Sequence, residues 1–173
     1  MLTIKIAFND KTEAKVAFLK GYPWLEMYNE DYYKERKKAL GLKASCGARE
    51  VPFIAFYHDG ELVKALYNEA NECDVTHVNE FLAEYVKEHA HKGWITVQKV
   101  EGVNNERIPV GKIYSGHTDT FMEGVSCRIS PPTHWFRSSN VTSIDWEKGE
   151  FKTLNSTYKF EFTPDNELDD SLK

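Results

Sequence analysis

Lys43-Ala-Ser-Cys-Gly-Ala-Arg-Glu-Val-Pro-Phe-Ile-Ala-Phe-Tyr-His-Asp-Gly-Glu-Leu-Val-Lys64 is the stretch on which the reading of this chain turns. Its middle, Val51 to Tyr57, is apolar and aromatic throughout, the pattern of a strand buried on both faces. His58-Asp59-Gly60 is a tight hairpin signal. Glu61 to Tyr67 then reads as the returning strand, with Leu62, Lys64 and Leu66 alternating against Val63, Ala65 and Tyr67.

Toward the N-terminus, Leu2 to Phe8 alternates as a strand with Leu2, Ile4, Ile6 and Phe8 on one face. Asn9-Asp10 stops it. Asp10-Lys-Thr-Glu13 matches a capping box, so a helix is expected from there to Gly21, with Ala14, Ala17, Phe18 and Leu19 inward. Tyr22-Pro23 breaks the chain, and Trp24 to Tyr28 is open to two readings, a short strand or a first helical turn. Asn29 to Leu40 is helical in composition, with Gly41 as its expected stop. Its basic run Lys34, Arg36, Lys37 and Lys38 reads as a solvated face.

Toward the C-terminus, Asp74 caps a helix whose apolar stripe is Val75, Val78, Phe81, Leu82, Tyr85 and Val86. At Gly93 the helical periodicity vanishes. Strands are expected at Trp94–Val100, Arg107–Tyr114, Val125–Ile129, Val141–Trp146 and Tyr158–Phe162, separated by turn-like stretches such as Ser115–Asp119. This divides the chain into an α/β domain over 1–92, a small all-β barrel or sandwich over 93–163 with Gly93 as a short linker, and an acidic tail over 164–173.

The 173 residues carry 22 basic and 27 acidic side chains, a formal net charge of −5. That leaves no positive field for phosphate backbones and argues against a dedicated nucleic-acid binder. Apolar residues at 41% are enough for a core, which excludes wholesale disorder. The N-terminal alternation interrupted by Lys5 is unlike a signal peptide, and no apolar run is as long as a membrane span. The expectation is a chain made and kept in the cytoplasm, with Cys46, Cys73 and Cys127 reduced.

The order strand, helix, possible strand, helix, strand, hairpin strand, helix resembles the thioredoxin fold, most sharply along Lys43 to Lys64. The implied class is α+β, a thioredoxin-like α/β domain followed by a small all-β domain. The resemblance implies a cis Val51–Pro52 bond and a peptide-binding edge where the backbone of Val51 pairs with an extended partner. The family's Cys-x-x-Cys falls on Asn9, Asp10, Lys11 and Thr12, none of which is cysteine. The family's disulfide exchange is therefore excluded at that site. Cys46 remains as a runner-up nucleophile, with Arg49 to stabilise its thiolate. The alternative is a small apolar role for Cys46.

His77, His89, His91 and Cys73 lack zinc-ligand spacing, and no phosphate loop or nucleophile elbow is present, so neither metal nor cofactor is expected. In the β half, the cluster Thr133-His134-Trp135-Phe136 offers aromatic anchor area for a partner or packs into the barrel. Tyr33 to Leu40 and Tyr67 to Asn71 resemble stretches of uncharacterised thioredoxin-like proteins of tailed phages. Together these imply a non-catalytic structural or interaction protein. Its expected contact residues are Val51, Pro52, His134, Trp135 and Phe136. Its expected partners are other proteins, virion subunits in an oligomeric assembly, with no nucleic-acid specificity and no membrane.

Overall fold

A computed structural model of the chain describes residues 1–103, 107–130 and 135–170. Strand accounts for 45% and helix for 24%. These proportions correct the expected α+β class with its thioredoxin-like α/β half: the chain is mostly β, with three α-helices among the described residues. It divides into two compact units, Met1–Glu84 and Tyr85–Lys173.

The first unit holds a four-stranded sheet in the order β2-β1-β3-β4, built from β1 (Leu2–Phe8), β2 (Leu25–Asn29), β3 (Phe53–His58) and β4 (Glu61–Tyr67). β1 runs parallel to β2 and antiparallel to β3, and β3 and β4 form the hairpin. Asp59 at φ 48° and Gly60 at φ 87° make the two positive-φ positions of that turn, which is why Asp-Gly suits it. Ile4, Ile6, Ile54 and Phe56 are fully buried, and each contributes about 1.5–3 kcal/mol by leaving water. Phe56 also meets Phe81 of α3 (Val75–His89) ring to ring at 4.5 Å.

The helices differ from expectation for local reasons. α1 is one turn, Glu13–Val16, followed by a 3-10 turn at Ala17–Leu19. Thr12 precedes it without a side-chain cap. Asn9 serves instead, accepting from the Thr12 N–H at 3.0 Å while its own N–H donates to Thr12 Oγ1 at 3.0 Å. α2 runs Arg36–Ser45, so Gly41 lies inside it, and Gly47, at φ 69°, follows its end. Trp24 to Tyr28 resolves mainly as strand β2.

The second unit is a six-stranded antiparallel sheet in the order β6-β5-β10-β9-β8-β7. Its strands are β5 (His91–Gly102), β6 (Ile113–Phe121), β7 (Ser126–Ile129), β8 (Phe136–Asp145), β9 (Glu150–Thr153) and β10 (Ser156–Pro164). A bridge from His117 to Ser130, with the Ser130 N–H donating to the His117 carbonyl at 2.9 Å, brings the two ends of the sheet together into a nearly closed barrel. Its interior is filled by Ile95, Val97, Phe121, Phe136, Phe151 and Phe160, among others. Lys99, 2% exposed, aims its ammonium at the carbonyl oxygens of Val103 and Ile108, as a buried cation requires.

Gly93 is no linker. It sits in β5 opposite Pro164, where a Cβ would run into the Thr163 carbonyl, so only glycine lets the strands approach. Ser115–Asp119, expected as a turn, lies inside β6, while only the last two residues of Arg107–Tyr114 are strand. Pro164 ends β10, and the expected loose tail is docked in its first part: Leu168 is buried, and Asp165 Oδ1 meets His117 Nε2 at 2.8 Å. Among the described residues no helix is long and apolar enough to cross a membrane.

Candidate functional site

The sequence points first to the entry of β3. The Val51–Pro52 bond is cis, Val51 is half-buried and Pro52 is buried. Just upstream, the Arg49 N–H donates to Glu69 Oε1 at 2.6 Å and the Glu50 N–H donates to the same oxygen. Asn68 Nδ2 donates to Glu50 Oε2 at 2.8 Å. The loop is thus fixed by charge-assisted bonds to an exposed carboxylate. The Cys73 thiol donates to the carbonyls of Pro52 and Leu66, and burial, then the Glu72 carboxylate, pushes it up to about 12. It is a structural thiol at neutral pH.

Cys46, the runner-up nucleophile, is half-buried at the end of α2. Its sulfur lies 3.5 Å from Ser45 Oγ, and its carbonyl accepts from the Tyr67 hydroxyl at 2.6 Å. The Tyr57 phenol stands beside the same sulfur. Burial first, and then the Cys46 thiol, raise its pKa.

Tyr57 leads to a feature that the sequence reading did not find. α2 packs Ala39 and Leu42 against Ala7, Phe53 and Ala55, covering one end of that sheet face. The uncovered end is a groove of about 430 Å³ lined by Lys5, Glu26, Tyr28, Lys38, Leu42 and Tyr57, with Thr3 and Gly60 at its margin. The β1–β2 register sets Lys5 opposite Glu26 and Ala7 opposite Tyr28, and the β1–β3 register sets Thr3 opposite Tyr57. Lys5 Nζ sits 5.1 Å from the Tyr57 ring centre, and Lys38 Nζ, reaching down from α2, sits 5.6 Å from that of Tyr28. Lys5 Nζ is 3.6 Å from Glu26 Oε2, which also accepts from the Tyr28 hydroxyl. Burial, then that carboxylate, raises the Tyr28 phenol to about 12. Every one of these phenols is neutral at pH 7, so the groove offers two cations, flat rings and one carboxylate that is already engaged. The signal in sequence was the polar alternation Thr3, Lys5 on β1, which marks a half-open face.

In the β half the aromatic cluster is divided. Phe136 is 1% exposed and packs its ring against Tyr114 and Tyr158 at 5.1 and 5.7 Å. It is a core residue, which corrects its place among the contact residues. Trp135 is 85% exposed. His134 lies outside the described residues. His77 is held by Asp74, its Nδ1 2.9 Å from Oδ1. Among the described residues no three His, Cys, Asp or Glu side chains are placed to share a metal ion.

No protein-family model, curated protein or solved structure matches the chain.

Proposed function

We propose that the chain is a non-catalytic interaction protein, with Trp135 as an anchor of its contact surface. The observation that carries this reading is the contrast between neighbours: Trp135 is 85% exposed while Phe136 is 1% exposed. An indole left in water is apolar area available for burial, and tryptophan is prominent among the residues that dominate interface energies. The next residue, Phe136, begins β8 and is buried in the barrel core. In the specific form of this reading the partner is another subunit of a tailed-phage particle. The likeness of Tyr33–Leu40 and Tyr67–Asn71 to stretches of phage proteins is what favours that form.

Photo-crosslinking tests it. A benzophenone amino acid at position 135, expressed in the source cells, is expected to give one discrete adduct with a protein that mass spectrometry also finds in purified particles. The absence of any adduct overturns the interaction reading. An adduct with a protein absent from particles overturns the virion form alone.

A second reading, single-cysteine thiol–disulfide exchange through Cys46, draws on the hydroxyl groups of Ser45 and Tyr57 at that sulfur. A Cys46→Ser variant as inactive as the parent in disulfide reduction removes it.

A further inference from the structure

We infer that the groove on the four-stranded sheet binds a mononucleotide-sized aromatic phosphate, the phosphate between the ammonium groups of Lys5 and Lys38 and the base against the rings of Tyr28 and Tyr57. The groove lies in the first unit and shares no residue with the Trp135 surface, so this inference stands or falls separately.

The chain as a whole is acidic at −5, yet the ionic groups lining this groove are two ammonium groups and one carboxylate. The carboxylate, Glu26, keeps the Tyr28 hydroxyl as a donor when Lys5 turns from it, and the groove carries one net positive charge either way. Lys38 forms no ion pair among the described residues, and its ammonium rests over the Tyr28 ring. An ammonium resting on an aromatic face is weakly held compared with one bonded to an anionic oxygen. The two lysines come from different elements, β1 and α2, and converge from the floor and the wall of one cavity. Two such donors suit a dianion better than a single carboxylate.

When the ammonium groups turn to a phosphate, each uncovers a tyrosine face. A planar base can then stack where the lysine stood, and stacking of this kind tolerates any base because every base has a π-face. The volume of about 430 Å³ lies within the range of small-ligand sites. Leu42 supplies the apolar side of the wall. Nothing in this arrangement reads a base edge, so the class is set by phosphate and ring rather than by base identity.

Calorimetric titration of the full chain tests the inference with AMP, UMP, adenosine and inorganic phosphate as the probes. AMP and UMP are expected to saturate the protein below about 1 mM, with adenosine and inorganic phosphate each at least about tenfold weaker. Lys38→Met changes an exposed side chain on α2 and is expected to weaken AMP at least about fivefold, and Lys5→Met with Lys38→Met more so, with circular dichroism unchanged. Tyr57→Leu is expected to weaken AMP and leave inorganic phosphate unaffected. No saturation by AMP overturns the inference. So does AMP binding no tighter than inorganic phosphate, or AMP binding that survives Lys38→Met unchanged.

Discussion

The Cys73 thiol donates to the Pro52 carbonyl at 3.2 Å, so the segment leading into α3 is tied to the residue ahead of β3. The same sulfur also serves the Leu66 carbonyl at 3.3 Å. A thiol committed to two buried carbonyls has no stable place for a thiolate. Burial and Glu72 push its pKa to about 12, and burial does the same to Cys127 in the barrel. Both stay protonated at any pH used for labelling. Iodoacetamide at pH 8 is therefore expected to modify Cys46 alone in the native chain and all three cysteines in guanidinium, read by peptide mass spectrometry. Rapid native labelling of Cys73 would contradict the geometry.

The Asp74–His77 pair at the start of α3 has a defined pH window. The hydrogen bond to Asp74 raises the imidazole above its usual value, and the bonds from the His77 N–H groups lower the Asp74 carboxyl. For the raised histidine, the stabilisation is fully present below about pH 6.5 and is lost as pH rises through its folded pKa. For the lowered aspartate, it is present above about pH 4 and is lost as pH falls through its folded pKa. The pair thus helps most between about pH 4 and 6.5. NMR titration of the His77 ring is expected to place its midpoint above that of a free histidine, and Asp74→Asn is expected to return it. Both side chains are open to solvent, so the effect on melting temperature is small.

Substitutions at the neighbouring positions 135 and 136 should differ sharply. Phe136→Ala empties a site between the Tyr114 and Tyr158 rings and is expected to cost about 3–5 kcal/mol in urea unfolding of the second unit. Trp135→Ala removes a side chain that is already in water, and is expected to change stability by less than about 0.5 kcal/mol. Similar losses at the two positions would show that Trp135 is packed rather than presented.

Gly93→Ala puts a methyl group into the Thr163 carbonyl across the β5–β10 pair. Backbone cannot retreat as a flexible side chain can. The expected loss is roughly 1–3 kcal/mol, measured by urea denaturation. Gly41→Ala, where a Cβ meets nothing within 4 Å and the backbone is helical, is expected to stabilise by up to about 1 kcal/mol.

The parts of the fold legible in sequence are those fixed by neighbours in the chain. The β3–β4 hairpin is one: apolar residues run from Val51, and Asp59-Gly60 supplies both positive-φ positions locally. The second helix is partly legible, but Gly41 marked a false end because a helix tolerates glycine when packing at Ala39 and Leu42 holds it. In β6, Ser115, His117 and Asp119 look like loop residues by type. They alternate with Tyr114, Gly116 and Thr118, which are buried, and period rather than polarity decided the outcome. Strand β9 is four residues long, and Lys152 splits its apolar signal. The mostly-β character was missed for these reasons together: short helices were read long and long strands were read short. The groove was invisible because its parts come from β1, β2, α2 and β3, and only the register of Lys5 with Glu26 and of Thr3 with Tyr57 assembles them.

The strand order of the barrel has a consequence for how the chain is made. β5 pairs along its length with β10, from Gly102 against Ser156 to Gly93 against Pro164. All the strands of the four-stranded sheet are complete by Tyr67. On a translating ribosome the sheet can therefore form while the barrel is still open. β5 can pair with β6 as soon as that strand emerges, but its other edge must wait for β10, and the barrel interior stays open meanwhile. The interval is a time of exposure to chaperones and to other nascent chains, set by topology alone.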